Sequence, residues 1–224
     1  MRLLLVGHGR MGRLVENLAP SYGCEIAGIA TSHVPLGSRD IGTVDVAIDF
    51  SVAAAVPTTV RELAERQIDI VIGTTGWQQH ESEAREVAVR GGIGVIAAAN
   101  FSPGMFIFQA IVADAAKRFA AREEAGAWIH ESHHSAKKDA PSGTAITLKN
   151  GMTHAGYSRP IDVSSTRAGS IPGTHSVGFD AAWESVTLIH EVRDRAVFAR
   201  GALEAAKWIR GRRGWFTMAD MLRD

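Results

Sequence analysis

The chain has 224 residues, 46% of them apolar, with 24 basic and 24 acidic side chains and a formal net charge of zero. That length buries a real core as one or two domains, and a balanced charge argues against a nucleic-acid face, which needs clustered basic residues to release counterions. No apolar run approaches the ~20 residues of a membrane span, and the opening "RLLLVG" lacks the apolar region and cleavage site of a secretion signal, so a cytoplasmic protein is expected.

In chain order, "RLLLVG", "EIAGIA", "VDVAIDF", "IDIVIGTTG" and "GIGVIAAANF" read as strands bounded by glycine or polar residues. Residues 13–22, 53–66 and 78–90 between them have helix-forming composition. Near-continuous apolar strands alternating with helices predict a parallel sheet covered on both faces, a doubly wound nucleotide-binding fold. Cys24, the single cysteine, falls in a strand approach and reads as a small buried thiol without a disulfide partner, which fits a reducing compartment. After Pro103 the pattern changes. A long apolar helix, "GMFIFQAIVADAAKRFAAR", leads into "AGAWIHESHH", a loop, a helix opening at "PSGTAITL", and strand-like stretches near 161, 175 and 186. Strands following strands predict a second, α+β domain. The division expected is 1–103 for the first domain and 104–197 for the second, with residues 198–224, opening in the helical "FARGALEAAKWI", packing back on the first. The basic run "RGRRG" within that last segment reads as a solvated turn.

Directly after the first strand stands "VGHGRMG", with Gly7, Gly9 and Gly12 in G-x-G-x-x-G spacing. Such glycines permit a tight turn, close approach of backbone to a pyrophosphate, and close packing of helix on strand, while the helix start offers unpaired amides to the anion. A Rossmann-like, dinucleotide-binding first domain follows. At the end of the second strand an acid would bind the adenosine ribose of NADH. None stands there; "GIATSHVPLGSRD" offers Thr31, Ser32, His33 and Arg39, which donate hydrogen bonds or positive charge. The expectation leans to NADPH, with NADH as the other cofactor. "GTTG" at 73–76 and "ANFS" at 99–102 also follow strands, and ligands bind outside the carboxyl ends of parallel strands, so both are placed to meet the nicotinamide half.

The stretch "HESHHSAKKDAPSGTA", 130–145, gathers histidines, lysines and a helix start. Pro141 and Ser142 stand where a helix begins, with Gly143 and Thr144 next, so backbone amides and two hydroxyls converge at a positive helix end, a receptor for carboxylate or phosphate. His133, His134 and Lys137 lie just upstream. Histidine suits proton donation after hydride addition to a double bond, and lysine suits charge stabilisation and carboxylate binding. A metal site from His130, His133 and His134 is the competing idea. Strand alternation puts His133 and His134 on opposite faces and no clear carboxylate set joins them, so no metal is expected.

"ESHHSAKKDAPSGTA" closely resembles the signature E-x-H-H-x-x-K-x-D-A-P-S-G-T-A of the 4-hydroxy-tetrahydrodipicolinate (dihydrodipicolinate) reductase family, matched at Glu131, His133, His134, Lys137 and 139–145. "GRMG", "DFS" at 49–51, "GTTG", "ANFSPGM", "RAGSIPGTHSVGF" and "FARGALEAAKWI" extend the resemblance over most of the chain. The resemblance implies NAD(P)H-dependent reduction of a cyclic dicarboxylate to tetrahydrodipicolinate in lysine biosynthesis by the diaminopimelate route. It implies His133 as proton donor with Lys137 as catalytic partner, and His134, Lys137, Ser142, Gly143 and Thr144 as holders of the substrate carboxylates. Gly7, His8, Gly9, Arg10, Met11 and Gly12 would bind the dinucleotide, with Phe50, Ser51, Gly73, Thr74, Thr75, Ala99, Asn100 and Phe101; Thr31, Ser32 and His33 belong to the same set. A homotetramer assembled through the second domain is also implied. The chain departs from the family in its compact first loop, its missing ribose acid, Ala98 in place of a frequent proline, and Thr174 where "GEH" is usual. Two other readings stay open on sequence: a dehydrogenase of similar architecture acting on an amino or keto acid such as aspartate, and a non-catalytic sensor of NAD(P)H.

Overall fold

The computed structural model describes residues 1–36 and 42–223. The chain divides into two compact units, Met1–Pro103 with Ala196–Asp224, and Gly104–Arg195. In chain order the first unit runs β1 (Arg2–Val6), α1 (Arg10–Leu18), β2 (Glu25–Ala30), β3 (Val46–Asp49), α2 (Val56–Glu65), β4 (Asp69–Ile72), α3 (Glu81–Gly91) and β5 (Gly94–Ala97). The second carries α4 (Pro103–Ala120), β6 (Gly126–His133), α5 (Gly143–His154), β7 (Ile161–Arg167), β8 (Thr174–Asp180) and β9 (Ser185–Glu191), after which α6 (Ala196–Ile209), β10 (Gly214–Phe216) and α7 (Met218–Met221) complete the first.

The first unit is a six-stranded, wholly parallel sheet in the order β10-β5-β4-β3-β1-β2. Its strands are apolar in succession because helices cover both faces: Leu3, Leu4 and Leu5 are all buried, as are Val46, Ala47 and Ile48. The small residues Ala199, Gly201, Ala202, Ala205 and Ala206 let α6 lie close on the sheet, and a Cβ on Gly201 would collide with the Phe101 carbonyl oxygen. Two expectations need correction. The helices expected over 13–22, 53–66 and 78–90 each divide into an α-helix and a short 3-10 turn, and α1 starts at Arg10, directly out of the glycine loop. The basic run is a turn, but an edge strand leaves it that the sequence reading missed. β10 has three residues, one a glycine, too few to show periodicity; it is pinned by the Gly211 amide donating to Asp69 Oδ2 at 2.7 Å and by Trp215 packing 6.1 Å from Trp77.

The second unit is a four-stranded sheet in the order β7-β6-β8-β9, with β6 and β7 parallel and the other pairs antiparallel. One face packs against helices. Met105, Phe108, Val112 and Ala116 recur at helical spacing on α4, and Ala145, Leu148 and Met152 on α5, to form one core with Ala127, Ile129, Val177 and Phe179 of the sheet. Tyr157 closes it, fully buried with its hydroxyl donating to the Ala125 carbonyl at 2.7 Å. The opposite face leaves Ile189 63% exposed, and Trp183 at the β8–β9 turn is 98% exposed. Among the described residues no helix is long and apolar enough to cross a membrane.

Candidate active site

The glycine loop between β1 and α1 forms a cradle for an anion. Gly7 has φ +90°, and a Cβ there would collide with the Phe50 carbonyl; one on Gly12 would collide with the carbonyl of Gly7. No side chain caps α1 at Gly9, so its first-turn amides are left to a ligand. These features fit a pyrophosphate, and beside them opens a cleft of about 570 Å³ lined by Gly7, His8, Gly9, Thr31, Ser32, Phe50 and Ser51. Pro35, Leu36, Val52, Ala55, Thr58, Thr59 and Glu62 complete the wall. Glu62 is an acid that the sequence reading missed, because it looked for one only at the end of β2. The signal lay in α2, where 58, 59 and 62 share one helical face that 55 continues from the turn before it. Arg10, Met11 and Gly12 open α1 outside that lining, His33 sits exposed at a turn tip beyond β2, and Arg39 lies outside the described residues.

The loops after β3, β4 and β5 stand at the same end of the sheet. Asp49 at the end of β3 is fully buried; its Oδ1 accepts from the Ser51 amide at 2.8 Å, the Ser51 hydroxyl at 2.7 Å and the Thr74 hydroxyl at 2.7 Å. It thus ties "DFS" to "GTTG". Burial pushes its carboxyl up, against the pull of those hydrogen bonds. A side chain at Gly73 would strike the Phe50 ring, which meets Phe101 edge-on at 6.4 Å. Asn100 turns back to accept from the Ser102 amide at 2.8 Å. Ala99 and Thr75 stand in the same loops.

The second unit builds its site by strand register. Alternation along β6 puts Ala127, Ile129, Glu131 and His133 on the core face, and pairing sets His175 of β8 opposite Glu131 and Arg167 of β7 opposite His133. Glu131 is wholly buried and accepts from Arg167 Nη1 at 2.9 Å, Arg167 Nη2 at 2.6 Å, the Ser142 amide at 3.1 Å and, through a short contact, His133 Nδ1. Burial alone would raise its pKa; the hydrogen bonds from Arg167 and the other donors outweigh it and bring the value down to about 2. His133 is lowered, first by burial and then by the positive Lys137 and Arg167, although Glu131 pulls the other way. His175 lies 5.2 Å from the His133 ring and is pushed down to about 4, by burial first.

Contrary to expectation, a carboxylate does join the histidines: ligand atoms of Glu131, His133 and His175 lie within 4.8 Å of one another. Arg167 takes up both oxygens of that carboxylate, so the group serves as an ion-pair network rather than a cation receptor. Ser142 caps α5 by accepting from the Ala145 amide and meets His175 Nε2 at 3.2 Å, so its hydroxyl is already engaged. Gly143 is exposed and Thr144 half-buried at the helix start. His134 follows the strand and opens a turn closed by the Lys137 amide at 3.1 Å, and Lys137 Nζ lies 2.7 and 2.8 Å from the two oxygens of Asp139. Glu131, Arg167 and His175 join this cluster, although the sequence reading quoted them in segments without assigning them a role. Only the register of three strands brings them together.

Comparison with known proteins bears on both units. The family described as "Dihydrodipicolinate reductase, N-terminus" matches residues 1–101, and "Dihydrodipicolinate reductase, C-terminus" matches 104–222. The chain is similar to a protein named 4-hydroxy-tetrahydrodipicolinate reductase from Christiangramia forsetii, 32% identical over all of this chain and 98% of the relative. A protein of the same name from Caldanaerobacter subterraneus is 34% identical with the same coverage. Among solved structures, the fold is similar to a dipicolinate-bound dihydrodipicolinate reductase from Paenisporosarcina, with a TM-score of 0.79 at 19% identity over 97% of both chains. An aspartate dehydrogenase from Thermotoga maritima shares the fold at a TM-score of 0.52 and 10% identity.

Proposed function

We infer, since the chain belongs to the dihydrodipicolinate reductase family, that it reduces 4-hydroxy-tetrahydrodipicolinate to tetrahydrodipicolinate in the diaminopimelate route to lysine, and that His133 is the source of the proton. NAD(P)H, when bound, supplies the hydride. The glycine loop and the cleft walls of the first unit would hold it, with Gly7 and Gly9 and the amides that open α1 at the pyrophosphate and the loops after β4 and β5 at the nicotinamide end. Thr31 and Ser32 at the end of β2 support NADPH as the preferred form.

The observation that carries the assignment of His133 is its seat on Glu131. A carboxylate at Nδ1 fixes the ring and leaves Nε2 to act on substrate, and Arg167 keeps Glu131 ionised. Burial first, and then Lys137 and Arg167 beside it, hold the imidazole below its ordinary value. A dianionic substrate reverses that field, raises the imidazole's affinity for a proton and so charges the donor when it is needed. Lys137, Gly143 and Thr144 would hold one carboxylate at the start of α5, with His134 beside them, while Ser142 shapes that start as its cap. We assign the enzyme to the cytoplasm as a homotetramer; Ile189 exposed on the sheet of the second unit and Trp183 exposed at its β8–β9 turn support the assembly.

The test is nicotinamide oxidation followed by absorbance, with substrate formed in place from pyruvate and aspartate semialdehyde by the preceding synthase. Turnover with NADPH faster than with NADH is the expected result. Bound cofactor without turnover would overturn the reductase assignment.

A further inference from the structure

The Lys137 ammonium, expected to receive a substrate carboxylate, already holds one. Its Nζ lies 2.7 and 2.8 Å from the two oxygens of Asp139, a two-point contact of the kind a ligand carboxylate makes. The Asp139 carboxyl is held below its ordinary value first by Lys137 and, in smallest part, by the Gly143 amide at the start of α5. The two partners differ in freedom. The Lys137 side chain is 24% exposed, while that of Asp139 is 57% exposed and gives up little by turning to water. The backbone of Asp139 does not share that freedom, because its carbonyl accepts from Arg167 Nη2 at 2.6 Å and is anchored to the buried network.

We propose that Asp139 is an internal stand-in for a substrate carboxylate: it keeps Lys137 aimed and must be displaced before substrate binds. This rests on the substrate reading of Lys137 and Gly143 given above. Displacement sets a threshold. A dicarboxylate, gripped at a second point, out-competes a tethered carboxylate; a monocarboxylate meets the same competitor with one contact. Asp139 is therefore a positioning residue, acting through Lys137.

Asp139→Asn removes the competing charge and keeps the shape. Binding of pyridine-2,6-dicarboxylate, measured by calorimetry in the presence of saturating NADPH, should tighten about fivefold, the scale of a partly exposed ion pair. Pyridine-2-carboxylate, whose one carboxylate meets the same competitor, should tighten by a similar factor. In a Lys137→Met background the same substitution should change nothing. Asp139→Ala repeats the test without an amide, and an unchanged NADPH affinity reports an intact fold. Unaltered or weaker dicarboxylate binding in both Asp139 variants would overturn the proposal. If Lys137→Met itself leaves dicarboxylate binding intact, the substrate assignment fails instead.

Discussion

Arg167 grips Glu131 with two parallel N–H···O contacts, 2.9 Å from Nη1 and 2.6 Å from Nη2, around a carboxylate with no exposed surface. Such a pair is costly to leave half made, because an unpartnered buried charge has no water to turn to. Arg167→Met should lower unfolding free energy by about 3–5 kcal/mol. Urea denaturation of the purified variant measures this, and a loss below ~1 kcal/mol would show that the pair contributes little to the fold.

The His133 assignment predicts a shape for the pH profile. A donor must be protonated, and in the free enzyme its pKa lies below the ordinary 6.5, so kcat/KM should fall as pH rises through a value under 6.5. The corresponding limb of kcat should lie higher, because the dianion opposes the effect of Lys137 and Arg167. Coincident limbs would argue against substrate-driven charging of the donor.

Removing the donor and removing an anion contact should separate in the kinetics. His133→Gln is expected to reduce kcat by about two to four orders of magnitude with cofactor affinity unchanged. Thr144→Val, at the start of α5, should raise KM for the dicarboxylate more than KM for NADPH. Equal rises in both constants would move the substrate site away from that helix.

Acid should weaken the protein in two stages. His175 titrates at about 4 in the fold against 6.5 unfolded, so the unfolded chain binds more protons between those values and stability falls as pH drops through them. The loss approaches roughly 3 kcal/mol for the buried ring, with His133 and His190 adding in the same sense. Glu131, at about 2 against 4.5, stabilises the fold above 4.5, and that contribution disappears as pH falls from 4.5 to 2. Denaturation midpoints that stay level from pH 6.5 to 4.5 would contradict the first stage.

Glu62 lines the cleft proposed above to hold the cofactor, and the adenosine half is placed beside it. A carboxylate there opposes the extra phosphate of NADPH and leaves NADH nearly unaffected. Glu62→Gln should therefore improve NADPH affinity by a few-fold relative to NADH, read as the ratio of dissociation constants from fluorescence titration. Equal changes in the two affinities would place Glu62 away from the phosphate.

What the chain discloses unaided depends on range. The five strands of residues 1–97 and the glycine loop were legible because each is written in consecutive residues, as apolar runs or fixed glycine spacing. The wider signature at 131–145 was legible for the same reason. Arg167 and His175 stand 36 and 44 positions beyond Glu131, and only the pairing of β6 with β7 and β8 makes them its neighbours. Glu62 was missed because the cleft borrows one face of a helix, and β10 because three residues carry no period.

The six-stranded sheet takes its edge strand β10 from the far side of the whole second unit. During synthesis β5 therefore waits with an open edge while residues 104–195, contiguous and carrying their own core, emerge and fold ahead of it. The first unit is begun first and finished last. The order of translation thus lets the second unit complete its own core before the first unit closes its sheet.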